Sequence, residues 1–489
     1  MWHEERLLID GELVEAEGGK TYDNVNPANE EVIGPVADAS PADVERAIAA
    51  ARRAFDDTGW SEDVELRTRC LRQLHEAFLA HQDEIADITV AEVGAPRMLM
   101  GGPQLGEPLK FLPFYADLAE KYEWIQELGE ADTMAGRSNR WVERVPVGVV
   151  GAITPWNYPN QINIAKVAPA LAAGCTVVLK PAPDTPWTGL AMGKLIAEET
   201  DMPAGVVNVI TAQDKTIGEV LTNSPDVDMI SFTGSTAVGR RIMEAGSATI
   251  KRIFLELGGK SAQIVLDDVD DVAGASVAAV FGICTHGGQG CATSTRLLLP
   301  ASLYDAGVEA AGAMVSGIGY GDPENPSNLT GAIVNRAQLE RMDGLVKRAV
   351  EAGARVVCGG GIATQFDKGF YFQPTVLADV TNDMEIAREE IFGPVLVILK
   401  YDGDDEAVKI ANDSIYGLSG GVSGADRDRV LKVARRIRTG TMSVNGGLWY
   451  GADVPFGGFK QSGLGRELGV AGFEEYLEQR AMAEPAASA

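Results

Sequence analysis

Positive charge is scarce in this chain. Its 42 Lys and Arg stand against 70 Asp and Glu, a formal net charge of −28, and an anionic surface of that size argues against nucleic acid or an anionic membrane as partner. Histidine is also rare: His3, His75, His81 and His286 are the whole complement. The five cysteines (Cys70, Cys175, Cys284, Cys291, Cys358) are odd in number and show neither paired nor zinc-ligand spacing. The chemistry is therefore not expected to use a metal, and no disulfide framework is expected. No apolar run reaches the roughly 18 residues needed to span a bilayer. Met1-Trp2-His3-Glu4-Glu5 lacks the basic and apolar regions of a secretory signal, so a cytoplasmic location is the expectation.

What is present is an ordinary apolar content in 489 residues, enough for two or three domains, since single cores rarely grow past about 250–300 residues. Ser40 and Pro41 read as the N-cap and first turn of a helix running through Ala51. Arg67 to Thr89 reads as continued helix, with Leu71, Leu74, Phe78, Ile85 and Ile88 at helical spacing. From Val145 to Leu257 the pattern alternates. Strands are predicted at Val147–Ile153, Thr176–Leu179, Val206–Ile210, Met229–Phe232 and Ile253–Leu257, with helices near Gln161–Ala172, Thr188–Glu199, Lys215–Thr222 and Ala237–Ala245. That rhythm predicts a doubly wound parallel sheet. A second α/β region follows Gly258, with strands at Ser261–Leu266, Arg296–Leu299, Val395–Tyr401 and Thr441–Val444 and helices at Val272–Phe281 and Arg336–Glu351. Asn445 to Gly465, rich in glycine and aromatics, reads as an ordered loop near a ligand, and Glu484 to Ala489 as a frayed tail.

Cys291 lies in Gly287-Gly288-Gln289-Gly290-Cys291-Ala292. Flanking glycines let backbone approach a ligand closely, as a thiolate nucleophile needs, although a free cysteine is more often a small buried hydrophobe. Glu256 ends the apolar run Ile253-Phe254-Leu255, which would deliver its carboxylate to a strand's C-terminal edge, where ligands collect in open α/β sheets. A strand-end salt bridge is the alternative. No G-x-G-x-x-G follows a strand; instead Met229–Phe232 feeds Thr233-Gly234-Ser235, and Ser235 is placed to cap the next helix.

Taken together and in this order, Thr154-Pro155-Trp156-Asn157-Tyr158-Pro159, Leu179-Lys180-Pro181, Phe232-Thr233-Gly234-Ser235, Leu255-Glu256-Leu257-Gly258-Gly259-Lys260, the Cys291 run, Glu389-Glu390-Ile391-Phe392-Gly393-Pro394 and Pro455-Phe456-Gly457-Gly458 resemble the aldehyde dehydrogenase superfamily over nearly the whole chain. The resemblance implies an α/β fold with a Rossmann-like cofactor domain (1–123 and 147–258), an α/β catalytic domain (259–460), and an oligomerisation arm with C-terminal segment (124–146 and 461–489). In the arm, Trp124–Arg144 would meet a partner strand at Phe473–Ala483, in a homodimer or homotetramer. The implied reaction is NAD(P)-dependent oxidation of an aldehyde to its acid through a cysteine thiohemiacetal and thioester.

By the same resemblance Cys291 is the nucleophile, Glu256 the base for water, and Asn157 the oxyanion donor, while Lys166 and Glu467 tune Glu256 and relay protons. Thr154, Pro155, Trp156, Lys180, Pro183, Gly218, Phe232, Gly234, Ser235, Leu257, Glu390 and Phe392 would hold the dinucleotide. Pro183 stands where many NAD-specific members carry a glutamate for the ribose, so NAD is the first choice and NADP remains open. Tyr158, Ile162, Ala165, Phe281, Thr285, Gly290, Ala292, Tyr450 and Phe456 would form a roomy apolar tunnel for medium or bulky aliphatic, terpenoid or aromatic aldehydes. The absence of arginine there disfavours a carboxylate-bearing semialdehyde. His286 is read as a pocket-wall or structural residue. A coenzyme A-acylating relative, a thiol esterase and a catalytically silent protein on this fold are the competing readings; Glu256 speaks against the first, the cofactor motifs against the second, and the retained Cys291, Glu256 and Asn157 against the third.

Overall fold

The computed structural model describes residues 2–486. Helix Pro41–Asp57 begins as the sequence predicts, with a reciprocal cap between Ser40 and Asp43. The single helix expected over Arg67–Thr89 is instead two, Val64–Ala80 and Gln82–Val93, broken at His81. Neither glycine nor proline marks the break. The His81 ring stacks on Trp2 and its Nε2 meets Glu199 at 2.8 Å, so tertiary contacts set the corner.

The alternating region builds β1 (Val149–Ile153), α1 (Pro159–Ala173), β2 (Thr176–Lys180), α2 (Pro186–Glu199), β3 (Val207–Val209), β4 (Met229–Thr233), α3 (Thr236–Gly246) and β5 (Arg252–Glu256). The stretch expected as a helix over Lys215–Thr222 is a 3-10 turn, Lys215–Ile217, followed by Gly218–Asn223. The five strands are parallel in spatial order β3-β2-β1-β4-β5. The first four are nearly continuous buried runs, as a sheet covered on both faces requires, while β5 is part-buried at Arg252 and Ile253 and buried from Phe254 to Glu256. Antiparallel strands from the two ends of the chain close the edges: Leu7–Ile9 pairs with β3, and Gly463–Leu464 pairs with β5.

The second sheet is built on β6 (Ala262–Val265), β7 (Arg296–Pro300), β8 (Thr375–Ala378), β9 (Val395–Tyr401) and β10 (Gly420–Ser423), parallel in order β8-β9-β7-β6-β10. Helices α4 (Val272–Cys284) and α5 (Arg336–Glu351) belong to this half. Of the strand expected at Thr441–Val444 only Ser443–Val444 pairs, at the sheet's edge.

A separate three-stranded sheet joins Ile125–Thr133, Gly136–Pro146 and Leu477–Pro485. Its last strand begins later than Phe473, because Gly469–Glu474 is helical. The tail read as frayed is ordered at its start: Glu484 and Pro485 pair with Asn139 and Ser138, and Ala486 N–H donates to the Arg137 carbonyl at 3.0 Å. The rest of that tail, 487–489, lies outside the described residues.

Candidate active site

Strands β1 and β4 are neighbours whose following segments leave the sheet in different directions. Their C-terminal ends thus flank the crevice where doubly wound folds bind ligands. Thr154, Pro155 and Trp156 leave β1, Lys180 ends β2, and Phe232, Gly234 and Ser235 belong to the β4 exit. All of these, with Pro183 and Gly218, line a cavity of about 540 Å³. Ser235 Oγ accepts from Val238 N–H at 3.4 Å and caps α3, so the helix opens toward the cavity with its free N–H groups, a setting for a phosphate. Lys180 is buried, its Nζ reaching only the Pro181 carbonyl, at 3.4 Å, among the described residues, and burial together with nearby Lys215 pulls its pKa down to about 8. An under-used buried ammonium, a helix N-terminus and the apolar faces of Ile153, Val238 and Ile242 fit an elongated dinucleotide.

A second cavity of about 300 Å³ shares Pro155, Trp156, Gly234 and Ser235 with the first and continues to Leu257, Glu390, Phe392, Ile162, Asn157, Glu256 and Cys291. The Gly258-Gly259 pair makes this junction possible. A Cβ at Gly259 would stand 2.4 Å from the Cys291 carbonyl oxygen, and one at Gly258 would stand 2.3 Å from Glu390 Oε2. Gly259 N–H donates to Glu390 Oε1 at 2.9 Å, which aims that carboxylate, and burial raises its pKa to about 7. Phe392 sits at φ +56° and meets Trp156 edge to face at 5.3 Å.

Glu256, the last residue of β5, is 2% exposed and lines the same cavity as Cys291, its Oε1 buried there without a hydrogen-bond partner among the described residues. Cys291 is half-buried, open to the cavity. Burial pushes both groups well above their usual pKa values; the carboxylates of Glu256 and Glu390 raise Cys291 further, and Glu467 raises Glu256. The pair is thus a thiol and a carboxyl with a shared interest in one proton. Lys166, buried on α1, bonds Glu467 Oε1 at 3.1 Å and Ser231 Oγ at 3.3 Å. Asn157 spends one side-chain amide N–H on the Gln289 backbone carbonyl at 2.8 Å, which ties it to the nucleophile loop, and its backbone carbonyl accepts from Gln104 Nε2 at 3.0 Å. A primary amide carries a second N–H.

Among the residues named for the tunnel, Tyr158 lies against Gly290, where an added Cβ would come within 3.8 Å of its ring. Thr285 and Ala292 are part-buried on the same loop. Tyr450 and Phe456 are brought together by Trp449, whose ring stacks on Phe456 at 5.6 Å and meets Tyr450 edge-on; Phe111 adds another edge contact to Tyr450. The sequence reading missed Trp449, although it stands beside Tyr450. Ala165 is 1% exposed, because α1 is buried along nearly its whole length, and Phe281 is 50% exposed on α4. His286 is fully buried at φ +51°, edge-on to Tyr158 at 5.2 Å, and burial drops its pKa to about 4. A residue not anticipated, Asp184, also borders the larger cavity, next to Pro183.

The Aldehyde dehydrogenase family matches residues 13–482. A 3-succinoylsemialdehyde-pyridine dehydrogenase from Pseudomonas sp is 40% identical over 97% of this chain and 98% of its own length. A geranial dehydrogenase from Castellaniella defragrans is 40% identical over 98% of each. Among solved structures, an Aldehyde Dehydrogenase C mutant from Pseudomonas syringae, complexed with NAD+ and octanal, superposes with a TM-score of 0.93 at 39% identity, covering 98% of this chain and 96% of that one. A betaine aldehyde dehydrogenase point mutant from Staphylococcus aureus, in complex with NAD+, gives 0.94 at 34% identity over 98% and 96%. With this crevice, this thiol–carboxyl pair and a match spanning almost all of its length, the chain belongs to the aldehyde dehydrogenase family.

Proposed function

We propose that this enzyme oxidises a medium or bulky apolar aldehyde to the free carboxylic acid, with NAD as cofactor. The observation that carries this reading is the pairing of Cys291 with Glu256 in a cavity continuous with a dinucleotide-shaped cradle. Lys180 and Glu390 would hold the two riboses and the N-terminus of α3 the pyrophosphate; NAD bound there supplies the hydride acceptor. Cys291 passes its proton to Glu256 and adds to the carbonyl carbon, giving a thiohemiacetal whose alkoxide takes a hydrogen bond from the free amide N–H of Asn157 and from the Cys291 backbone N–H. One such donor contributes roughly 3–4 kcal/mol. Departure of hydride leaves a thioester. Glu256 first gives up the thiol's proton, for which the Lys166–Glu467 pair beside it provides a route, and then takes a proton from water as the water adds to that carbonyl. Collapse of the adduct releases the acid and restores the thiol.

The apolar substrate class rests on Tyr158, Trp449, Tyr450 and Phe456 at the nucleophile's side of the fold, and on relatives named for geranial and for a pyridine semialdehyde and one complexed with octanal. In this reading residues 1–123 and 147–258 bind the cofactor, 259–460 supply the nucleophile, and the arm assembles a homodimer or homotetramer. Strand Ile125–Thr133 supports that last point: it is a sheet edge with Ile125 and Leu128 about half exposed. A cytoplasmic setting agrees with five free cysteines and with no helix, among the described residues, long and apolar enough to cross a membrane.

The test is initial-rate measurement over aldehydes of graded chain length and ring content. Aldehyde-dependent NADH formation should yield free acid without added coenzyme A and vanish in Cys291→Ala. A Cys291→Ala enzyme at full rate would overturn the mechanism.

A further inference from the structure

At the adenine end of the cradle the resemblance leaves a gap, since Pro183 offers no carboxylate. Two lysines border this end, Lys180 and Lys215, and alone they would welcome a phosphate ester. Asp184 borders the same space. Its Oδ1 accepts from Asn335 Nδ2 at 2.8 Å, and Asn335 is the N-cap of α5, so an element of the second half fixes the side chain. Its Oδ2 is out of solvent with no hydrogen-bond partner among the described residues, and Lys215 Nζ stands 3.9 Å away, an ion pair longer than a hydrogen bond. The other nearby pair of opposite charges, Arg241 with Glu219 at 2.6 Å, is self-satisfied. Two carboxylates, Asp214 and Asp184, offset the positive charge of Lys180, and of these Asp184 is held in place from across the cleft and incompletely neutralised.

We propose that Asp184 is the specificity-determining residue of the cofactor site, its clamped carboxylate turning a two-lysine pocket away from a 2′-phosphate and toward NAD. The inference rests on the dinucleotide reading above. Asp184→Asn keeps an acceptor for Asn335 and removes only the charge, so it isolates the electrostatic role; Asp184→Ser serves if the amide variant folds poorly. Lys215, on an exposed turn with its side chain 73% accessible, provides a change of opposite sign.

The experiment titrates NAD and NADP into wild type, Asp184→Asn, Lys215→Met and the double variant, following tryptophan fluorescence (Trp156 lines the cradle), and repeats the comparison as kcat/KM. Wild type should prefer NAD. Asp184→Asn should shift the NAD:NADP preference toward NADP by at least about tenfold, the scale of one unbalanced charge at short range. Lys215→Met should weaken NADP more than NAD, and the double variant should return toward the wild-type ratio. A ratio in Asp184→Asn within about twofold of wild type would sink the inference while leaving the oxidation of aldehydes by NAD intact. Wild type that binds neither dinucleotide would overturn both.

Discussion

Cys291 and Glu256 each resist ionisation, and the direction of both shifts fixes the sign of the pH dependence. A thiol raised above its usual range is protonated at neutral pH, and a raised carboxyl keeps its proton further up the scale. Nucleophilic attack needs the thiolate and hydrolysis needs the carboxylate. Both requirements are met more fully as pH rises, so kcat/KM should climb from about pH 6 to about pH 9 rather than peak near neutrality. A profile that falls across that range would contradict the pairing. Glu256→Gln separates the two duties. Steady-state turnover should drop by roughly a hundredfold or more, whereas a rapid-mixing experiment should still show a burst of NADH approaching one per active site, formed more slowly because the glutamine cannot take the thiol's proton, since the thioester, once made, waits for water. Loss of the burst along with turnover would place Glu256 only in the first step.

Among the elements, α2 shows how a helix can take its cap from far away. Thr185 stands at its N-cap position but makes no capping bond. The Trp187 and Thr188 N–H groups instead donate to the carboxylate of Glu92, each at 2.9 Å, and Asn24 Nδ2 donates to the same group at 3.0 Å. Glu92 is fully buried, and desolvation outweighs these bonds, lifting its pKa from 4.5 to about 7. The native state therefore holds this proton more tightly than the unfolded chain does. Its contribution to stability is complete below about pH 4.5 and is lost as pH climbs toward about 7. Calorimetry at the two ends of that window should find a smaller fall in Tm for Glu92→Gln than for wild type; an equal fall would refute the assignment.

Elements differ in how far the sequence exposes them. The parallel strands are legible because each is a short unbroken apolar run, and α5 and β9 keep their predicted bounds. The Glu92 cap and the corner at His81 are not, since both are made by partners remote in sequence. The active site follows the same division. Cys291, Glu256, Asn157 and the cradle residues come together because their motifs fix backbone geometry, through Gly258 and Gly259 above all. The surroundings of Ala165 and Phe281 are not legible in the same way, because position along a helix does not say which way a side chain faces: α1 is covered on nearly every face, whereas Phe281 is half exposed on α4. Asp184 was overlooked for a related reason: its role depends on Asn335, a clamp from the other half of the chain.

For the molecule as a whole, a formal charge of −28 makes the folded state self-repelling. Many ion pairs here lie at the surface, as between Arg348 and Glu385, where each adds little. Raising the salt concentration screens repulsion over the whole surface, within about 10 Å at 0.1 M, and Tm should rise by several degrees between low and moderate sodium chloride in a thermal-shift series. A flat or falling series would mean that local pairs outweigh the net charge.

The edge strand at Gly463–Leu464 has a temporal meaning. It pairs with Leu255 and Glu256, and Leu257 N–H donates to the Ser462 carbonyl at 2.9 Å, so the flank of the catalytic strand is finished by residues synthesised long after that strand. A nascent chain that has already emerged through β5 carries Glu256 on an open ladder, without Glu467 to partner Lys166. Premature termination or proteolysis near the C-terminus would leave the nucleophile and the base in the chain and still yield a dead enzyme. Completion of the site thus waits on residues made long after the strand that carries its base.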